Sequence, residues 1–239
     1  MVYVLSDIHG NERRFNSILQ QIDLRPNDVL YVLGDVIDRH PGGIRILRRI
    51  MAADNIKMVL GNHEYMMLEA LGHSYDAPRL RNGKIDQHAL SRWYRNGGKV
   101  THDHLKRIRK SARSEIIQYL LELPLQIDIE VQGESYALVH TASVDDFVES
   151  SRYFTPAMFA VWNRWDHTSF PHRDSTLVFG HTPTIYYQDT VPMEIKHGEN
   201  CIAIDCGSGY PEESQEGRLA CLRLDDGKVF YSEEGCYDH

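Results

Sequence analysis

The chain has 239 residues, 42% hydrophobic and 25% charged, an ordinary globular balance that excludes low-complexity and collagenous classes and predicts a single domain over residues 1–239. Its net charge of −8 argues against general affinity for nucleic acid. With no apolar run near the length of a membrane span, and a first strand at Val2 that leaves no room for a leader, a cytoplasmic protein without a membrane partner is expected.

Val2-Tyr3-Val4-Leu5 is apolar and β-branched enough for a buried strand, and it runs into Asp7-Ile8-His9-Gly10. Asn11 can cap a helix over 12–22. Val29 to Leu33 repeats the pattern and runs into Gly34-Asp35-Val36-Ile37-Asp38-Arg39. Pro41-Gly42-Gly43 can open a helix ending near Asp54. Ile56 to Leu60 then leads into Gly61-Asn62-His63-Glu64, with a helix starting near Glu64. Later strands over Tyr136 to Val139 and Thr176 to Phe179 end at His140 and at Gly180-His181. Short strands follow around Cys201–Asp205, Leu219–Leu224 and Lys228–Ser232. The last two are joined by Asp225-Asp226-Gly227, a hairpin signal, and all three are expected in a second sheet.

Five strand-like runs thus end in polar residues, and open α/β sheets gather ligands at carboxyl strand ends. Asp7 and His9, two apart, project to one side of extended backbone and can share a cation, and a short loop allows this too. Asp35 can offer one carboxylate oxygen to each of two metals, while Asn62, His140 and His181 supply an amide oxygen and two imidazole nitrogens. This mixture suits Mn, Fe, Zn or Co better than Mg or Ca. Glycines 10, 34, 61 and 180 permit positive φ or close backbone approach beside the site.

Residues 73–121 interrupt the strand rhythm with helical stretches around Gln87–Asn96 and His102–Leu121. Between His73 and Ser114 eleven basic residues face three acidic ones, a local +8 set against −16 over the rest. The segment reads as a basic helical cap inserted beside the site, where it can steer an anionic substrate or simply present a solvated face. Cysteines 201, 206, 221 and 236 lack Cys-x-x-Cys spacing and are expected as buried thiols.

The order of these fragments resembles the calcineurin-like metallophosphoesterases, and within them the protein serine/threonine phosphatases of bacteria and phage. The family pattern reads D-x-H-G, G-D-x-x-D-R-G, G-N-H-E, H-A-G and G-H. Here the second segment ends in His40 instead of glycine and the fourth reads His140-Thr141-Ala142. The resemblance implies an α/β fold, a four-layer α-β-β-α sandwich of two mixed sheets. It implies Asp7, His9 and bridging Asp35 on a first metal, with Asn62, His140 and His181 on a second and Mn the leading candidate for both. It further implies His63 as general acid, Asp38 hydrogen-bonded to it, and Arg39 as phosphate clamp. Val161-Trp162-Asn163-Arg164 looks like the element that carries the family's second arginine, here Arg164. Two cations roughly 3.5–4 Å apart would turn a bridging water into a nucleophilic hydroxide.

Two substrate classes are compatible with such a site. The leading expectation is a phosphoprotein, dephosphorylated at serine or threonine and also at tyrosine, with the next class as its alternative. The second is a phosphorylated small molecule, a dinucleoside polyphosphate gripped by Arg39, Pro41-Gly42-Gly43 and the basic insertion. A non-catalytic metal scaffold would have no use for a general acid.

Overall fold

Alternate side chains of strand β1 (Val2–Leu5) enter two different cores: Tyr3 and Leu5 pack with helices, whereas Val4 packs against a second sheet. A strand buried on both faces is what its unbroken apolar run predicts. The computed structural model describes residues 1–77, 83–150, 152–165, 174–211 and 213–233. Arg79 and Arg81 of the insertion and Cys236 lie outside these.

β1 pairs in parallel with β2 (Val29–Val32), which pairs in parallel with β3 (Ile56–Met58). Helix α1 (Glu12–Ile22) is capped by Asn11, whose side chain accepts from Arg14 N at 3.0 Å. Helix α2 (Gly43–Met51) and α1 bury Phe15, Ile18, Ile44 and Leu47 in the helical core on one side of this sheet. Helix α3 begins at Asn62 and runs to Ala70. Asn62 and His63 therefore occupy its first turn, two residues ahead of the expected start.

The described part of the insertion holds three helices, α4 (Gln87–Arg95), α5 (Lys99–Arg107) and α6 (Lys110–Leu121). The expected stretch from His102 to Leu121 is thus broken, at an extended Ile108 with φ −90° and ψ 161°. Leu105 and Ile116 both reach the core. Being eleven apart, about three helical turns, they would show the same periodicity in an unbroken helix, so tertiary packing set this break and the sequence pattern did not mark it.

The second sheet is formed by β4 (Gln126–Val131), β5 (Glu134–Val139), β6 (Thr176–Phe179), β7 (Lys196–His197) and β8 (Cys201–Ala203), in the order β4-β5-β6-β8-β7. Strands β5, β6 and β8 are parallel, with β4 and β7 antiparallel at the edges. Before β5, the polar and apolar alternation of Gln126 to Val131 is a strand signal that the motif-led reading passed over.

The C-terminal hairpin of β9 (Ala220–Arg223) and β10 (Val229–Tyr231) corrects an expectation. It joins the first sheet, in the order β10-β9-β1-β2-β3, with Val4 opposite Leu222. The free edge of β1 requires hydrogen-bond partners, and β9 supplies them while sending Ala220 and Leu222 into the core between the sheets. The outer face of the second sheet carries Ala137, Val139, Leu177 and Phe179, with Trp165 and Tyr187 packed on it. Helix α7 (Pro156–Trp162) is capped by Thr155. Among the described residues no helix is long and apolar enough to cross a membrane, and Cys201, Cys206 and Cys221 are buried free thiols.

Candidate metal centre

The carboxyl ends of β1, β2 and β3 in one sheet and of β5 and β6 in the other open onto the same edge of the sandwich. Beyond the strands, the first two loops remain zipped together, with His9 N donating to Asp35 O at 2.9 Å and Gly10 N to Val36 O at 2.7 Å. Asp7, His9, Asp35, Asp38, Arg39 and His181 all have positive φ, between 50° and 72°. Left-handed backbone is rare for residues with a Cβ and costs ~1–3 kcal/mol each. The chain therefore turns sharply at the candidate ligands themselves, and of the two geometries open to Asp7 and His9, extended backbone or a short loop, it adopts the loop. Two glycines allow the loops to meet: a Cβ on Gly61 would lie 2.3 Å from Asp35 Oδ1, and one on Gly180 would lie 2.2 Å from Asp7 Oδ2.

Asp35 sits at the middle of the cluster. Its Oδ2 faces His9 Nε2 at 3.7 Å and His63 Nε2 at 3.8 Å, while its Oδ1 faces His140 Nε2 at 3.5 Å. Two groups of buried side chains thus share this one carboxylate, His9-Asp35-His63 and Asp35-His140-His181. Asp7 flanks the first, with Oδ1 3.7 Å from His9 Nε2. Its other oxygen accepts from Ser6 Oγ and from His181 N, tying the two sheets' loops together.

The donor set fits divalent cations. His140 Nδ1 donates to Leu33 O at 2.7 Å, so in the neutral tautomer Nε2 is left as an acceptor only 2.9 Å from the amide oxygen of Asn62. Two acceptors that close repel unless a cation lies between them, and cis ligands on bonds of roughly 2.1 Å are separated by about this distance. Among the described residues His181 Nε2 is buried without a hydrogen-bond partner, a lone pair that a metal would satisfy.

Electrostatics separate the imidazoles. Burial, Arg39 and His63 hold His9 well below its ordinary pKa, and burial with His140 and Arg164 does the same for His181. Both are neutral rings, as metal ligands must be. Burial works against charging His63 as well, but the carboxylates of Asp35 and Asp38 prevail and raise it. His63 Nδ1 is 2.7 Å from Asp38 Oδ2, so its Nε2 faces the site as a proton carrier. Burial raises Asp7 as well, reinforced by Asp35; carboxylates held this close need a countercharge.

Arg39 is exposed at the mouth, and Arg164, also exposed, donates to Thr182 Oγ1 at 3.0 Å. The two arginines line one cavity of about 610 Å³ with His181, Asp205 and Tyr210. His40 is half-buried, with Nε2 3.3 Å from Tyr210 O, so it braces a loop. The other departure, Thr141, puts its hydroxyl 3.1 Å from Ala160 O, and Trp165 Nε1 donates to Thr141 O at 2.8 Å, fixing the segment that bears Arg164.

Sequence reasoning missed two carboxylates. Asp205 is buried, and burial with nearby Asp7 lifts it well above the carboxylate range. It follows strand β8 as Asp7 follows β1, and Gly207 follows it, so the same strand-end signature was present. Glu64, fully buried, accepts from Asp35 N and Val36 N at 2.9 Å each and from Ile37 N at 3.3 Å. Burial and Asp35 push it up to about 7. It shapes the Asp35 loop, which its position beside His63 did not disclose.

Residues 1–203 match the family of calcineurin-like phosphoesterases. The symmetrical bis(5'-nucleosyl)-tetraphosphatase of Cronobacter sakazakii is 31% identical over 95% of this chain and 92% of its own. A metallophosphoesterase structure from Sphaerobacter thermophilus superposes with TM-score 0.55 at 16% identity, covering 96% of this chain and 86% of its own. A protein serine/threonine phosphatase from Saccharomyces cerevisiae does so with TM-score 0.53 at 14% identity, covering 100% and 80%. At such identities the two structures share the fold, and that is all they show.

Proposed function

The chain belongs to the calcineurin-like phosphoesterases and is a metal-dependent phosphoester hydrolase, and we propose that it splits a dinucleoside tetraphosphate symmetrically into two nucleoside diphosphates. This is the alternative of the two substrate classes expected from sequence, and it replaces the leading phosphoprotein reading, because the relative from Cronobacter sakazakii carries that activity in its name.

One observation carries the choice. From Arg39 a cleft of about 790 Å³ runs between α2 and α5, lined by Arg45, Lys99, His104 and Arg107 as well as Asp103. Glu12 answers Arg45 and Asp103 answers Lys99, so Arg39 and Arg107 carry most of its unbalanced charge. A phosphomonoester would use one clamp; a chain of four phosphates can extend along a basic cleft.

In this reading Asp7, His9 and Asp35 would hold one divalent cation and Asp35, Asn62, His140 and His181 the other. Bound there, the cations would supply an activated water and neutralise phosphate oxygens. Arg39 and Arg164 fork onto the non-bridging oxygens of the phosphate under attack. His63, held by Asp38, delivers its Nε2 proton to the departing oxygen.

The test presents diadenosine tetraphosphate, a phosphoserine peptide and a phosphotyrosine peptide to the Mn-loaded protein side by side. ADP as the sole nucleotide product, with slow peptides, is expected. Rapid peptide turnover with an idle dinucleotide overturns the proposal.

A further inference from the structure

Asp38 Oδ2, which accepts from His63 Nδ1, accepts a second hydrogen bond of 2.7 Å from Trp93 Nε1. Trp93 lies on α4 of the basic insertion, fully buried. The backbone N–H of Asp38 donates to Thr101 Oγ1 on α5 at 3.0 Å, and Arg39 N donates to Gly97 O between those helices at 3.3 Å. Asp38 Oδ1, by contrast, is buried with no partner among the described residues.

We propose that Trp93 and Thr101 are positioning residues for the proton donor, so that the insertion completes the catalytic centre in addition to lining its mouth. The proposal rests on His63 being the general acid. A carboxylate with one free oxygen can rotate about its Cβ–Cγ bond, and rotation would carry Oδ2 away from His63. The buried indole N–H fixes that torsion, and because it donates to the same oxygen it also disperses that oxygen's negative charge. Thr101 fixes the backbone at Asp38, which stands at φ 72°. A Cβ on Gly98 would lie 2.2 Å from Trp93 Nε1, so the chain leaves space for the indole alone. Arg39 and Asp38 are adjacent, so the same two helices register phosphate clamp and acid together.

A positioning role has a signature that loss of packing lacks. It matters in proportion to how much the leaving oxygen needs a proton. Trp93→Phe keeps the ring and removes the N–H; Thr101→Val keeps the shape and removes the acceptor. Each variant, loaded with Mn and confirmed folded by its melting transition, would be assayed on phenyl phosphate, whose leaving phenol has a pKa of ~10 like tyrosine, and on p-nitrophenyl phosphate, a far better leaving group. We expect kcat to fall about tenfold or more on the former, a share of the ~10²–10⁴ ascribed to general acids, and less than about twofold on the latter, with KM and metal content unchanged. In a His63→Asn background neither substitution should reduce kcat further. Equal losses on both substrates, no loss on either, or additive losses in that background overturn the proposal. If His63→Asn itself shows no dependence on leaving group, the acid assignment fails instead, and the two failures are thereby distinguished.

Discussion

At the scale of single residues, the site is organised by carboxylates acting on backbone as much as on ligands. Glu64 gathers three successive N–H groups of the Asp35 loop, so Glu64→Gln sets an amide NH₂ against donors and leaves part of the loop unsatisfied. A buried donor without a partner costs ~1–3 kcal/mol; a lowered melting temperature with weakened metal uptake is expected, and an unchanged melting temperature would refute this role. His63→Asn has a different profile: metals retained, turnover slowed most for substrates with poor leaving groups, measured as kcat across a series of aryl phosphates. The candidate ligands were legible because each follows a strand-like run. The roles of Glu64 and Trp93 were not, since a carboxylate bonding backbone and an indole bonding a carboxylate across 55 residues leave no local pattern.

At the scale of elements, strand and helix starts followed local chemistry closely: β1, α1 and β6 fall where residue pattern and capping place them. Errors arose where long-range pairing decides. The C-terminal hairpin was recognised as a hairpin but assigned to the wrong sheet, because periodicity gives which face is buried and not which edge is free. The break at Ile108 was hidden for a similar reason. Helix α7 shows how one departure from the family pattern is used: Thr141 bonds the carbonyl of Ala160 and thereby fixes the approach to Arg164. Thr141→Ala is expected to cost ~1 kcal/mol in denaturant unfolding and to raise KM several-fold with kcat little changed. An unaltered KM would separate the hydroxyl from the clamp.

At the scale of the whole molecule, charge is sorted against the overall balance. A chain of net −8 places a basic insertion beside the edge where, among the described residues, its candidate metal ligands gather, so the field at the mouth opposes that of the body. Electrostatic steering of this kind weakens as the Debye length falls from ~10 Å at 0.1 M salt. The kcat/KM for a dinucleoside tetraphosphate should therefore drop more steeply with added salt than that for p-nitrophenyl phosphate, and Arg107→Ser should flatten the slope. Parallel slopes for both substrates would make the insertion's charge a solvated face.

The account turns on Asp35 as the carboxylate shared by two cations. Mn uptake by the metal-free protein, followed by titration calorimetry with elemental analysis, tests this most directly. Two equivalents for the natural chain, and loss of high-affinity uptake at both sites in Asp35→Asn, is the predicted result. A single equivalent in the natural chain, or two retained in the variant, would contradict it.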